Sequence, residues 1–283
     1  MNWSKAKTIL IIALLITNAI LAIVLFSQDN QEVSTIKESF ITDVVNILKE
    51  KDISIAVDIP NEIPSLNTLT VKYEMLESFD INKRFFDGQG LINKFDEDKI
   101  IISRENESIT IENNKKMIYK NKRESKGYEN LDKDTAEQIV MKFLKYRSYD
   151  TSGMILWRNE IDEDLNTYNI EFSMLYKEKY LENTYTKAVI DREGVLELKR
   201  LWLDPISEGE TPIYINTAPK ALLDLIGNED LYGKTINNIS LCYYFDPKKD
   251  DYIEDPEETK EGKSIPAWRV TFEDGSKIII DNY

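Results

Sequence analysis

The sequence predicts an α+β protein held at a membrane: one N-terminal transmembrane helix, then two exterior domains, the second built from two units that each join a helix to an antiparallel sheet. Three observations predict it. Residues 8–26 are nineteen in a row without a charge. Further on, apolar residues recur either at three- and four-residue spacing or at alternate positions, in separate segments, as helices and half-buried strands require. Beyond residue 131 the order helix, strands, hairpin occurs twice.

As a helix rising about 1.5 Å per residue, the first segment is roughly 28 Å long, close to a hydrocarbon core of about 30 Å. Thr17 and Asn18 interrupt its Ile, Leu, Ala and Val interior. Lys5 and Lys7 precede it in a tail of residues 1–7, and positive charge beside a span stays in the cytoplasm, so the remainder is expected outside the cell. Trp3, Lys5 and Lys7 are candidates for anchoring the inner interface. A cleaved signal peptide shares the basic start, but its apolar core is usually about 7–15 residues and ends in an A-x-A step, which does not follow Phe26. Mid-span, an unpaired amide is costly. Asn18, with Thr17, therefore either contacts a partner's span or bonds to carbonyls of its own helix.

The first exterior domain is expected over residues 32–122. Val33, Ile36, Phe40, Ile41, Val44, Ile47 and Leu48 make an apolar stripe and predict a helix over 33–51. The period then changes: Ile53, Ile55 and Val57 alternate with smaller residues until Pro60 and Pro64 stop regular pairing. A strand is expected over 67–75, a turn or mobile loop at Gly88 and Gly90, and a meander over 99–103, 108–112 and 116–119 with Asn turns. The polar stretch 121–130 reads as a boundary.

The second domain, 131–283, divides into units 131–203 and 216–283. In the first, Asp132 or Asp134 caps a helix to about 146, followed by strands over 154–160, 167–176, 185–191 and 195–202. In the second, Thr217 and Pro219 open a helix that Gly227 ends; strands over 236–245, 267–273 and 277–281 follow, with Asp274 and Gly275 as a hairpin turn. Each unit buries one sheet face under one helix. Trp202, Tyr243, Tyr244 and Trp268 fall on these strands. They become candidates for an exterior interface if one sheet face lacks a cover.

Composition narrows the function. With 42% apolar and 31% charged residues the chain can bury real cores and is no disordered stalk. The net charge of −15, or −17 without Lys5 and Lys7, disfavours nucleic acid, which needs clustered cations. The absence of histidine removes Ser-His-Asp and Cys-His nucleophiles and histidine zinc sites. Cys242, the lone cysteine, sits in an apolar run and reads as a small core residue. An exported chain without disulfides, rich in Lys, Asn and Ile, suits a low-GC Gram-positive bacterium. No cofactor or metal is expected: an EF-hand register from Asp162 puts Thr167 where glycine is needed and Ser173 where glutamate is needed. The acidic stretch 246–263 reads as a solvated, mobile hairpin loop, with a basic partner or a loose cation as the alternatives.

The opening Asn2-Trp3-Ser4-Lys5, then Lys7-Thr8-Ile9 and a span holding Asn18, resembles the start of YycI (WalI) proteins. The ending Pro266-Ala267-Trp268-Arg269-Val270, with Phe272, Asp274-Gly275 and Ile278-Ile279-Ile280-Asp281, resembles the last hairpin of a PepSY-type module. The resemblance implies a non-catalytic accessory regulator of a WalK-like sensor kinase. Such a protein works through span and exterior contacts together with a YycH-like partner and affects cell-wall metabolism. Two other classes stay open. One is a PepSY-type binder or inhibitor of a secreted protease or wall enzyme. The other is a wall hydrolase using paired carboxylates such as Glu171 and Glu178, although nothing in the sequence selects a pair.

Overall fold

The computed structural model describes residues 7, 14–18, 21, 36–96, 98–129, 131–249 and 253–281. Most of the expected span therefore lies outside the described residues, as do Trp3 and Lys5. Lys7, Thr17 and Asn18 are helical and exposed. No helix among the described residues is long and apolar enough to cross a membrane.

Alternating strands dominate the chain, and they join in one large mixed sheet of fourteen strands among the described residues, in an α+β arrangement. The helix α1 (Glu38–Glu50) buries Val44 and Leu48, two members of the predicted stripe. After β1 (Ser54–Ile55) and β2 (Ser65–Tyr73), a helix α2 (Ser78–Phe86) leads to β3 (Leu91–Lys94). The turn between them is held by Asn82, whose amide accepts from Gly90 N at 2.8 Å and donates to Gly90 O at 3.0 Å. The meander β4 (Lys99–Arg104), β5 (Glu107–Glu112) and β6 (Lys116–Asn121) follows with the expected antiparallel register.

In α3 (Lys133–Tyr146) the Asp132 side chain accepts from Thr135 N at 2.7 Å, an N-cap that satisfies one orphan donor. An antiparallel run follows: β7 (Met154–Asp162), β8 (Thr167–Tyr176), β9 (Lys179–Asp191) and β10 (Gly194–Leu201). β11 (Leu203–Tyr214) then crosses to the edge beside β2. A short helix α4 (Ala218–Leu222), extended by 3₁₀ turns, precedes β12 (Thr235–Tyr244), β13 (Glu261–Phe272) and β14 (Lys277–Ile280).

The sheet runs without a break past the polar stretch 121–130. β6 pairs with β10, and β2 lies between β11 and β13. That stretch is also pinned by the fully buried Asp191, which accepts from the Arg123 guanidinium twice at 2.6 Å and from Lys126 N at 2.7 Å.

Three apolar clusters cover the sheet. One lies under α2 and α3 and includes Phe86, Ile102, Val140 and Phe172. A second lies under α1 and α4 and includes Leu48, Leu222, Trp268 and Phe272. The third joins β2 to the C-terminal strands through Leu69, Val71, Trp202, Tyr243 and Phe245.

Candidate functional site: the clasped acidic loop and the sheet surfaces

Burial decides the fate of the aromatic candidates. Trp202, Tyr243 and Trp268 are each only 3% exposed and pack within the apolar clusters. The Trp202 ring carries the Arg200 guanidinium at 4.3 Å, and Trp268 Nε1 donates to Asn216 O at 2.7 Å. Tyr243 meets Tyr176 edge-on at 6.2 Å. Tyr244 alone is half-buried. Its hydroxyl donates to Asp246 at 3.0 Å, and burial, then Asp246, raises its pKa.

Tyr244 and Asp246 open the acidic stretch, whose described part is fastened rather than loose. Lys115, at the tip of the β5–β6 hairpin, is only 7% exposed. Its ammonium donates to Pro256 O at 3.3 Å and Thr259 O at 3.1 Å, and it lies 4.9 Å from the Tyr73 ring centroid. Burial pushes the Lys115 pKa down, while Glu257 and Asp255 oppose that shift. Burial, with Asp246 and Glu257, pushes the Tyr73 hydroxyl up to about 12. Asn113 donates to the Glu257 carboxylate, which Lys248 also meets at 2.9 Å. Asp255 closes its own turn by accepting from Glu257 N and Glu258 N at 3.0 and 3.2 Å. A cavity of about 300 Å³ lies between hairpin and loop.

The loop's last residues are strand. Glu261 to Ser264 pair with Lys72 to Leu69 on β2. Sequence reasoning took these residues for loop because their charge masked an alternation in which Ser264 faces inward. Among the described residues no group of three or more acidic or thiol side chains is arranged to hold a metal. Asp162 instead caps its own turn by accepting from Leu165 N at 3.0 Å.

Two buried ion clusters lie on the sheet and escaped the sequence reading. Glu182, 2% exposed, takes Arg269 Nε on one oxygen at 2.6 Å and Lys277 Nζ on the other at 2.5 Å. The Arg269 guanidinium lies 3.9 Å from the Trp157 ring and 4.0 Å from the Tyr180 ring, which meet each other edge-on. Beside it Cys242 is fully buried, and desolvation pushes its thiol well above the ordinary range, which makes it unreactive. In the second cluster Arg200 donates to Glu74 and to the Thr186 hydroxyl, both at 2.7 Å. Of the two carboxylates considered for hydrolysis, Glu171 is held by Lys187 at 3.0 Å on the charged outer face of the sheet. Glu178 sits in the β8–β9 turn with φ of 65°. The structure does not bring them together as a facing pair.

A further surface was invisible in the sequence: Phe79, Leu91 and Phe95 stand exposed where α2 and the edge strand β3 end the sheet.

The comparisons with known proteins concern the fold. No family model matches the chain, and no curated protein matches it. Among solved structures, YycH from Bacillus subtilis superposes with a TM-score of 0.51 at 12% identity, over 78% of this chain and 53% of that one. The similarity therefore spans about half of YycH. An uncharacterized protein from Eubacterium rectale ATCC 33656 superposes with a TM-score of 0.49 at 13% identity, over 86% of this chain and 96% of that one. The likeness to YycH covers most of this chain and concerns its fold.

Proposed function

We propose that this protein is a YycI-like, membrane-anchored, non-catalytic regulator of a WalK-like sensor kinase. It works with a YycH-like partner outside the cell and affects cell-wall metabolism. The observation that carries this reading is the YycH-like fold of the exterior chain. The basic tail and uncharged stretch at the N-terminus support it, since they suit a single span with the tail in the cytoplasm. In this reading residues 8–26 cross the membrane once, and Thr17 and Asn18 face a partner's span. The exterior units after α3 and α4 are PepSY-like. No nucleic acid and no cofactor takes part.

The test is to express the tagged full-length chain in a Gram-positive host, crosslink living cells and identify the captured membrane proteins. Recovery of a WalK-like kinase and a YycH-like protein is expected, and Asn18→Leu should lower kinase recovery from mild detergent. Recovery of secreted proteases or wall enzymes without the kinase would move the function to a PepSY-type binder or inhibitor.

A further inference from the structure

β12 has two edges. Along one, β13 pairs with it almost throughout. Along the other, β1 pairs in parallel at Thr235 and Ile236, and β9 pairs in parallel at Cys242 and Tyr243. Between those two partners, residues 237–241 pair with no strand on that edge among the described residues. At about 3.3 Å per residue this is a gap of roughly 17 Å in an otherwise continuous sheet.

The chain that could have filled the gap turns away. After Ala56 N donates to Ile236 O at 2.9 Å, the segment carrying Pro60 and Pro64 departs, and neither proline has an N–H to give to a ladder. What opens instead is a cavity of about 560 Å³. Its floor is Ile239, Ser240 and Leu241, and its apolar wall includes Leu66 and Ile63, the latter 45% exposed. Glu62 and Glu178 line it against a single ammonium, Lys179, so the slot is net negative.

We propose that this slot is a docking site for an extended peptide segment of a partner protein, taken by strand addition and carrying alternating apolar and basic side chains. Unpaired strand-edge amides and carbonyls select an extended backbone because nothing else meets their spacing. The apolar wall accepts one face of the strand, and the excess carboxylate favours a cation on the other. The slot is closed at both ends, by β1 and by β9. It therefore admits a free segment of about five residues, but not the long edge of a folded sheet, which sets a second copy of this chain aside.

The test uses the full-length chain in detergent micelles and amide hydrogen exchange at residues 237–241. The probes are the capped pentapeptide Val-Lys-Val-Lys-Val, a copy N-methylated at every residue, and the Glu analogue Val-Glu-Val-Glu-Val. At about 1 mM the Lys peptide should slow exchange at those of these amides that face the open edge, not at those already paired with β13, and the N-methylated copy should not. The Glu analogue should bind at least about fivefold more weakly. Ile63→Asp, at a wall position exposed enough to leave folding intact, should weaken the Lys peptide about tenfold. Equal binding of the N-methylated copy, or unchanged exchange at about 10 mM peptide, would overturn the proposal.

Discussion

At the scale of single residues, the molecule concentrates its charge risk in a few buried carboxylates. Glu182 neutralises two cations at once, so Glu182→Ala leaves Arg269 and Lys277 facing each other without an anion. Breaking a buried pair in this way costs about 3–5 kcal/mol, and urea denaturation of the variant should show it as a lower midpoint at unchanged slope. Asp191 is one of the carboxylates that contribute to acid stability. Burial alone would raise its pKa, but the Arg123 guanidinium and the N–H groups of Lys126 and Glu193 outweigh it and hold the carboxyl below its usual value. A depressed folded pKa means that the ionised form stabilises the fold. That contribution is complete above the unfolded value of about 4 and is lost as pH falls through the folded value. Arg123→Ala should therefore flatten the loss of stability below about pH 4 while lowering stability at neutral pH. Thermal melts between pH 2 and 7 would read both effects. Neither residue was legible as important in the sequence. A buried carboxylate looks like any other acid in a chain with 51 of them until its partners, far away in sequence, are known.

At the scale of elements, the acidic stretch shows how far local sequence carries. It reads in the sequence as a solvated, mobile loop; its attachment is not legible there, because Lys115 and Tyr73 approach it from other parts of the chain. Lys115→Ala removes two charge-assisted bonds and the contact with Tyr73, which should destabilise the protein by about 1–3 kcal/mol. Amide exchange over residues 253–260 should speed up while that of α3 stays unchanged. Equal protection in the variant would mean that the strand pairing at 261–264 and the Asn113 and Lys248 contacts of Glu257 fix the loop without Lys115. That pairing depends on Gly262. A Cβ there would run into the Phe245 ring, which is buried and cannot swing aside. Gly262→Ala should cost about 1–3 kcal/mol by overpacking, measured against Gly88→Ala, where no atom lies within 4 Å and the backbone penalty alone acts. The elements that sequence reasoning missed share a physical cause. α2 places polar Asn82 on its buried face, which interrupts the stripe. β11 carries Pro205, Gly209 and Pro212, which read as strand breakers but are tolerated on an edge strand. Helices and strands with an uninterrupted period, such as α1, α3 and β4 to β6, were legible because their burial follows from local pattern alone.

At the scale of the whole molecule, the question is whether the segments before and after residues 121–130 are independent. The polar, glycine-containing stretch 121–130 looks like a linker, and the repeat beyond it looks self-sufficient. The register argues for mutual dependence. β2 brings the fully buried Leu69 and Val71 between β11 and β13, so β13 has no partner over residues 261–264 without the N-terminal segment. β1 and α1 likewise complete the cluster under the last three strands, where Leu48 and Ile53 pack with Leu222 and Ile236. Removing residues before 131 would therefore strip one flank from β13 and expose the inner faces of Trp268 and Phe272. Apolar side chains of this size each contribute about 1.5–3 kcal/mol when buried, against a total stability of only about 5–15 kcal/mol for a typical domain. A fragment of residues 131–283 should accordingly lack the near-ultraviolet circular dichroism of a packed core. In the full chain, amides of β4 to β6 and of β12 to β13 should lose protection at the same urea concentration. Loss of β4 to β6 protection at clearly lower urea, together with a folded 131–283 fragment, would show that the linker reading of 121–130 is right and that strand pairing across it is too weak to couple the two segments.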